Sequence, residues 1–157
     1  MRTDEPSGLR PQPLPRGVTG FFAQPDSLPH VDPKLFKAAC HVAARNMGAP
    51  VRMFEHEGRT SSYLAAVFDG ARIAALCNRF HPYLGFVATD ALPVGGGAVF
   101  LHSPPSSSWP GFRVLDPDFL NAELNQGMLS ALAPCERDQI RYWKPTKLGN
   151  VIFNVWD

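Results

Sequence analysis

Cysteine and histidine are the side chains whose spacing comes nearest to nucleophilic chemistry, and they lie closest in Cys77-Asn78-Arg79-Phe80-His81-Pro82. A thiol becomes a nucleophile when a neighbouring base or cation favours its thiolate. The stretch from Cys77 to His81 spans a predicted strand end and a turn, where the two side chains need not converge. Cys77 also alternates with Ala75 and Ile73, the pattern of a core thiol. An enzyme reading therefore needs dispersed partners: a small hydrolase or transferase using Cys77 or Cys135 with His81 or His102. The same residues offer only part of a zinc site, because structural zinc takes four converging nitrogen or sulfur ligands, commonly in paired short spacings. No metal or cofactor is expected.

Other polar segments carry less. Cys40 and His41 are adjacent on a predicted helix, so they point about 100° apart and cannot act as a dyad. Glu55-His56-Glu57 puts two carboxylates on one face of a strand and the histidine on the other, and it runs into Gly58 like a polar strand end. Gly95-Gly96-Gly97 lacks the lysine and hydroxyl of a phosphate loop and leads into a predicted strand, so it reads as a hairpin loop. Ser106, Ser107 and Ser108 sit in no G-x-S-x-G elbow. Aromatic residues remain. Trp109, on a proline-bounded loop with Phe112 nearby, reads either as an anchor for a partner protein or as a lid folded back over the sheet, and Phe21-Phe22, in a proline-rich stretch, are expected to dock on the core, with partner binding as the alternative.

The elements that hold these residues follow from punctuation and period. Residues 1–30 are proline-rich, show no apolar periodicity and are expected to form an extended arm, with residues 31–157 as one α+β domain. Asp32-Pro33 opens a helix that closes near Gly48, with Phe36, Ala39, Cys40, Ala43 and Met47 on one buried stripe. From Val51 to His102 short runs of Val, Ile, Phe and Tyr predict strands near 51–57, 62–68, 71–78, 83–89 and 98–102, with a type I′ turn at Asp69-Gly70. Short connections make this an antiparallel meander of four to five strands. Asp116-Pro117 opens a second helix through Leu120, Leu124 and Met128 or Leu129, and a third runs from Pro134 to Trp143. In the last residues Leu148, Val151, Ile152, Val155 and Trp156 keep helical spacing despite high strand propensity, so a short helix capped by Thr146 is expected. The helices, contributed from both chain ends, are expected to pack mainly on one face of the sheet.

Composition sets the class of function. Fifteen Lys and Arg stand against fourteen Asp and Glu, giving a net charge of +1, and 45% of residues are hydrophobic. Near-neutral charge gives no reason to expect nucleic acid or an anionic membrane as partner. The three cysteines are widely spaced and odd in number, which fits a reducing compartment, and no apolar run reaches the roughly 20 residues of a membrane helix. The expectation is a cytoplasmic, non-catalytic protein-binding protein, in its most concrete form an immunity or antitoxin-type inhibitor of another protein. The Cys/His enzyme is the alternative, and an adaptor acting through the proline-rich arm is the third reading.

Overall fold

The computed structural model describes residues 13–21, 28–55, 61–104 and 108–156. Helix α1 spans Pro33–Met47 as its punctuation requires. The Asp32 carboxylate accepts the Lys34 amide at 2.9 Å, proline occupies the first turn, and Gly48 ends the helix at φ 70°. A left-handed residue of this kind lets the chain turn back while its amides bond the last carbonyls.

Strands β1 (Val51–Phe54), β2 (Tyr63–Phe68), β3 (Ile73–Asn78) and β4 (Tyr83–Ala88) form the expected antiparallel meander. The fifth strand differs. It is β5, Arg113–Val114, and it runs parallel to β4, so the sheet is mixed in the order β1-β2-β3-β4-β5. The Arg113 and Leu115 amides donate to the carbonyls of Pro82 and Leu84. Expected strand 98–102 touches the sheet only through the Phe86–Leu101 bridge. Its backbone is satisfied elsewhere: the Asn121 amide group clamps both the N–H and the C=O of Phe100 at 2.9 Å each. A buried chain whose polar groups already have partners gains nothing from a ladder. The β2–β3 turn also departs from type I′. Phe68 pairs with Ile73, leaving a four-residue loop whose positive φ values fall at Gly70 and Arg72 rather than at Asp69 and Gly70.

Apolar clusters cover both faces of the sheet. Ala66, Phe68, Ala75, Cys77, Leu84 and Phe86 pack with Phe36, Cys40 and Ala43 of α1. The alternate residues Tyr63, Ala65, Val67, Ala74, Leu76 and Val87 pack with the C-terminal half of the chain. Successive strand residues point to opposite faces, so unbroken apolar runs such as Tyr63–Phe68 belong to strands buried on both sides.

The second face is built from α2 (Pro117–Leu120), α3 (Gln126–Leu129), α4 (Pro134–Trp143) and α5 (Leu148–Ile152). The helix expected to run on from Asp116 is broken into α2 and α3. Between them the Ala122 carbonyl takes the Leu148 amide, and Asn125 caps α3 by accepting the Met128 amide at 3.0 Å. Helix α4 has its expected limits. Helix α5 is shorter than its periodicity suggests and begins after Lys147 with no side-chain cap, so Thr146 does not cap it. Gly149 makes its close packing possible, since a Cβ there would lie 2.3 Å from the Phe100 ring.

Within residues 13–20, read from the sequence as arm, Leu14 and residues 17–19 are buried. Leu14 and Val18 are buried in the C-terminal-side cluster, and Glu136 of α4, itself wholly buried, holds the segment. Its carboxylate accepts the amides of Gly17 at 2.8 Å and Thr19 at 3.1 Å, the Thr19 hydroxyl at 2.6 Å and the Ala133 amide at 3.1 Å. The last contact is half of a capping box, because Ala133 has no side-chain acceptor to reciprocate. Asn78, also wholly buried, extends the lattice: its amide donates to the Val18 and Ile152 carbonyls and its oxygen accepts the amides of Phe80 and His81.

Candidate functional site

Cys77 and His81 do not form the pair that their spacing suggests. Cys77 is buried in the α1-side core and its thiol donates to the Asn78 carbonyl at 3.4 Å. His81 instead lies near the surface, stacked on Tyr83 with ring centroids 5.6 Å apart and with Nε2 3.1 Å from the Arg16 carbonyl. Burial pushes the Cys77 thiol up to about 12, against a smaller opposing pull from Arg79. Burial and the neighbouring Cys77 push Cys40 up to about 12 as well. Both are core thiols held in the unreactive neutral form. Cys135 is half-buried and donates to the Phe21 carbonyl at 3.6 Å, while His102 is exposed. Among the described residues no cluster of three His, Cys, Asp or Glu could hold a metal ion. Glu55 is exposed; His56, Glu57, Ser106 and Ser107 lie outside the described residues.

Trp109 is not an exposed anchor. Only 6% of it is accessible, and it closes the core against Phe68 and Phe86 at centroid distances of 6.5 and 5.6 Å. An indole that packs two buried rings cannot also present its face to a partner. The loop that Trp109 pins nevertheless forms one wall of a groove. Pro110, Gly111 and Phe112 line, together with the outer side of α1, a groove of about 620 Å³ whose lining also includes His30, Val31, Asp32, Phe80, His81 and Pro82. Phe112 leans edge-on against Phe36 at 6.3 Å.

The α1 side of this groove is a second apolar stripe that the sequence reading did not single out. Leu35, Ala38, Ala39 and Val42 follow the same i, i+3, i+4, i+7 rule as the buried stripe but start at another residue. Leu35 is 62% and Val42 42% accessible. A helix apolar on two faces has one to bury against its own core and one left over. The signal was available in the sequence by testing every starting residue, not only the stripe with the largest side chains.

A second groove, of about 540 Å³, lies between Phe21, Phe80, Tyr142, Trp143 and Trp156, and Phe80 lines both grooves. Trp143 and Trp156 are parallel, with a 5° interplanar angle at 6.3 Å. Phe21 packs on Trp156 at 6.3 Å, so it docks on the body of the protein. Phe22 lies outside the described residues. No helix among the described residues is long and apolar enough to cross a membrane.

Compared with protein-family models, with curated proteins and with solved structures, the chain matches none.

Proposed function

We propose that this chain is a non-catalytic protein-binding protein of the immunity or antitoxin kind, acting in the cytoplasm by covering a working surface of another protein. The observation that carries the reading is the open apolar stripe Leu35-Ala38-Ala39-Val42 beside the Phe112 loop. It places large aliphatic side chains in solvent at the edge of a preformed groove, where binding another apolar surface removes them from water. Rigid support beneath the groove favours this use, because the sheet and Trp109 fix its walls before any partner arrives and little ordering entropy is lost on binding. Three free cysteines suit a reducing compartment. The rival hydrolase or transferase would need an accessible low-pKa thiol beside an imidazole; Cys77 is buried and raised instead, which leaves that reading to rest on the half-buried Cys135.

The test is affinity capture from the native host with wild type, Leu35→Asp and Tyr142→Ala, each checked for native circular dichroism. The reading expects one stoichiometric protein partner that Tyr142→Ala retains and Leu35→Asp loses. A partner retained equally by both variants removes α1 from the interface. No partner with wild type removes the binding-protein reading itself.

A further inference from the structure

We infer that the occupant of the α1 groove is an acidic amphipathic helix of the partner protein, an inference that rests on the protein-binding reading above. Shape gives the first half. The stripe has small residues, Ala38 and Ala39, at its centre and larger ones, Leu35 and Val42, at its ends, and Pro110, Gly111 and Phe112 line the same groove. A helix laid along such a saddle approaches closely at the alanines and sets its own apolar ridge between the two larger side chains.

Charge gives the second half. Lys34, Lys37, His41 and Arg45 are the exposed basic and histidine residues that follow one another along α1, and no acidic residue occurs between Asp32 and Gly48. The chain as a whole is nearly balanced at +1, so this helix concentrates positive charge. Lys34, His41 and Arg45 are spaced i, i+7 and i+11, which puts them in one row along one flank of the stripe. Among the described residues neither Lys34 nor Arg45 forms an ion pair; the carboxylates nearby are Asp32, at the N-terminal end of α1 in the groove lining, and Glu55, which shares a pocket with Lys34 on the β1 side of the helix.

The same row argues against a second copy of the chain. Two α1 helices packed antiparallel about a two-fold axis between Ala38 and Ala39 would match Leu35 with Val42 of the other copy. The axis keeps each flank on its own side, so Lys34 of one copy would lie beside Arg45 of the other. Like charges at an interface oppose association, and acidic side chains opposite the row favour it.

The probe is a capped, fluorescein-labelled peptide of about 18 residues, long enough to hold a helix, with leucines at i, i+3, i+4, i+7 and glutamates on both flanks. A second peptide carries lysines in place of the glutamates. Anisotropy titrations of the full chain should show the glutamate peptide binding roughly tenfold tighter than the lysine peptide, the scale of a few exposed charge pairs. The Lys34→Glu/Arg45→Glu variant should reverse that order, and Leu35→Asp should weaken both peptides. Equal binding of the two peptides, or binding of neither, overturns the inference, as does a wild-type dimer in sedimentation that Leu35→Asp dissolves. If the captured host partner depends on Leu35 but is indifferent to Lys34→Glu/Arg45→Glu, the acidic helix is wrong while the protein-binding reading stands.

Discussion

Replacing Glu136 with glutamine tests how the N-terminal segment is held. Four donors converge on this buried carboxylate, and among the described residues no lysine or arginine forms an ion pair with it. Glutamine keeps the shape and one acceptor oxygen but sets an NH2 group against donors. The less costly orientation turns the NH2 toward Thr19, whose hydroxyl can rotate to accept it while its backbone N–H is left without a partner. One charge-assisted bond worth about 1.5–3 kcal/mol is lost, and the remaining ones fall toward neutral strength. Relief from burying a charge offsets part of this. The expected net loss is about 2–3 kcal/mol. Leu14 and Val18 still bury apolar surface worth roughly 1.5–3 kcal/mol each, so the segment stays docked and opens more often. Urea denaturation should show the loss, and hydrogen exchange should show the Gly17 and Thr19 amides exchanging about 30- to 150-fold faster, the factor equivalent to that energy. A variant within about 0.5 kcal/mol of wild type, with unchanged protection at Gly17 and Thr19, would refute the reasoning.

Thiol chemistry gives a second prediction: a disulfide reagent should label Cys135 in the native protein, with Cys40 and Cys77 reacting only on unfolding. Those two thiols also impose a pH dependence. Their folded pKa values are raised from 9.0 to about 12, so the unfolded chain binds fewer protons between these limits. Their stability contribution is fully present below pH 9 and is lost as pH rises toward 12, with a slope of up to about 1.4 kcal/mol per pH unit for each group. Alanine at both positions should flatten that decline in denaturation curves taken across the window. Trp109→Ala should cost about 3–5 kcal/mol because it empties a packed site, whereas Tyr142→Ala, at a side chain 76% accessible, should stay within about 0.5 kcal/mol; calorimetry separates them. Gly149→Ala forces a methyl to within 2.3 Å of the buried Phe100 ring and should destabilise by about 1–3 kcal/mol through overpacking, read from the same denaturation assay.

Local chemistry was the part of the fold most legible in the sequence. Asp32-Pro33 and Gly48 fix the ends of α1, and Pro134 with Pro145 brackets α4, because caps and prolines act within a turn of their own position. Four strands were visible through β-branched and aromatic runs. Long-range pairing was not. The Asn121 clamp on Phe100 and the bond from Leu148 to Ala122 undo an expected strand and split an expected helix, and neither leaves a local mark. The two-sided burial of the sheet did leave one, in the unbroken apolar runs of β2 and β3. Among site residues, Phe112 was found at the groove. Trp109 could be read as an anchor or as a lid on the core, because a tryptophan on a loop has the same local sequence whether it faces the core or solvent, and it is the lid. The Leu35–Val42 stripe was hidden behind the larger residues of the buried stripe one position away.

The most direct test of the central claim is site-specific photo-crosslinking in the native host, with a benzophenone amino acid in place of Ala38 and, as control, of Ala71 at the exposed β2–β3 loop. The account predicts a single protein adduct of defined mass from position 38 and none from position 71. An adduct from position 71 alone, or none from either position while the chain is folded and expressed, would contradict it.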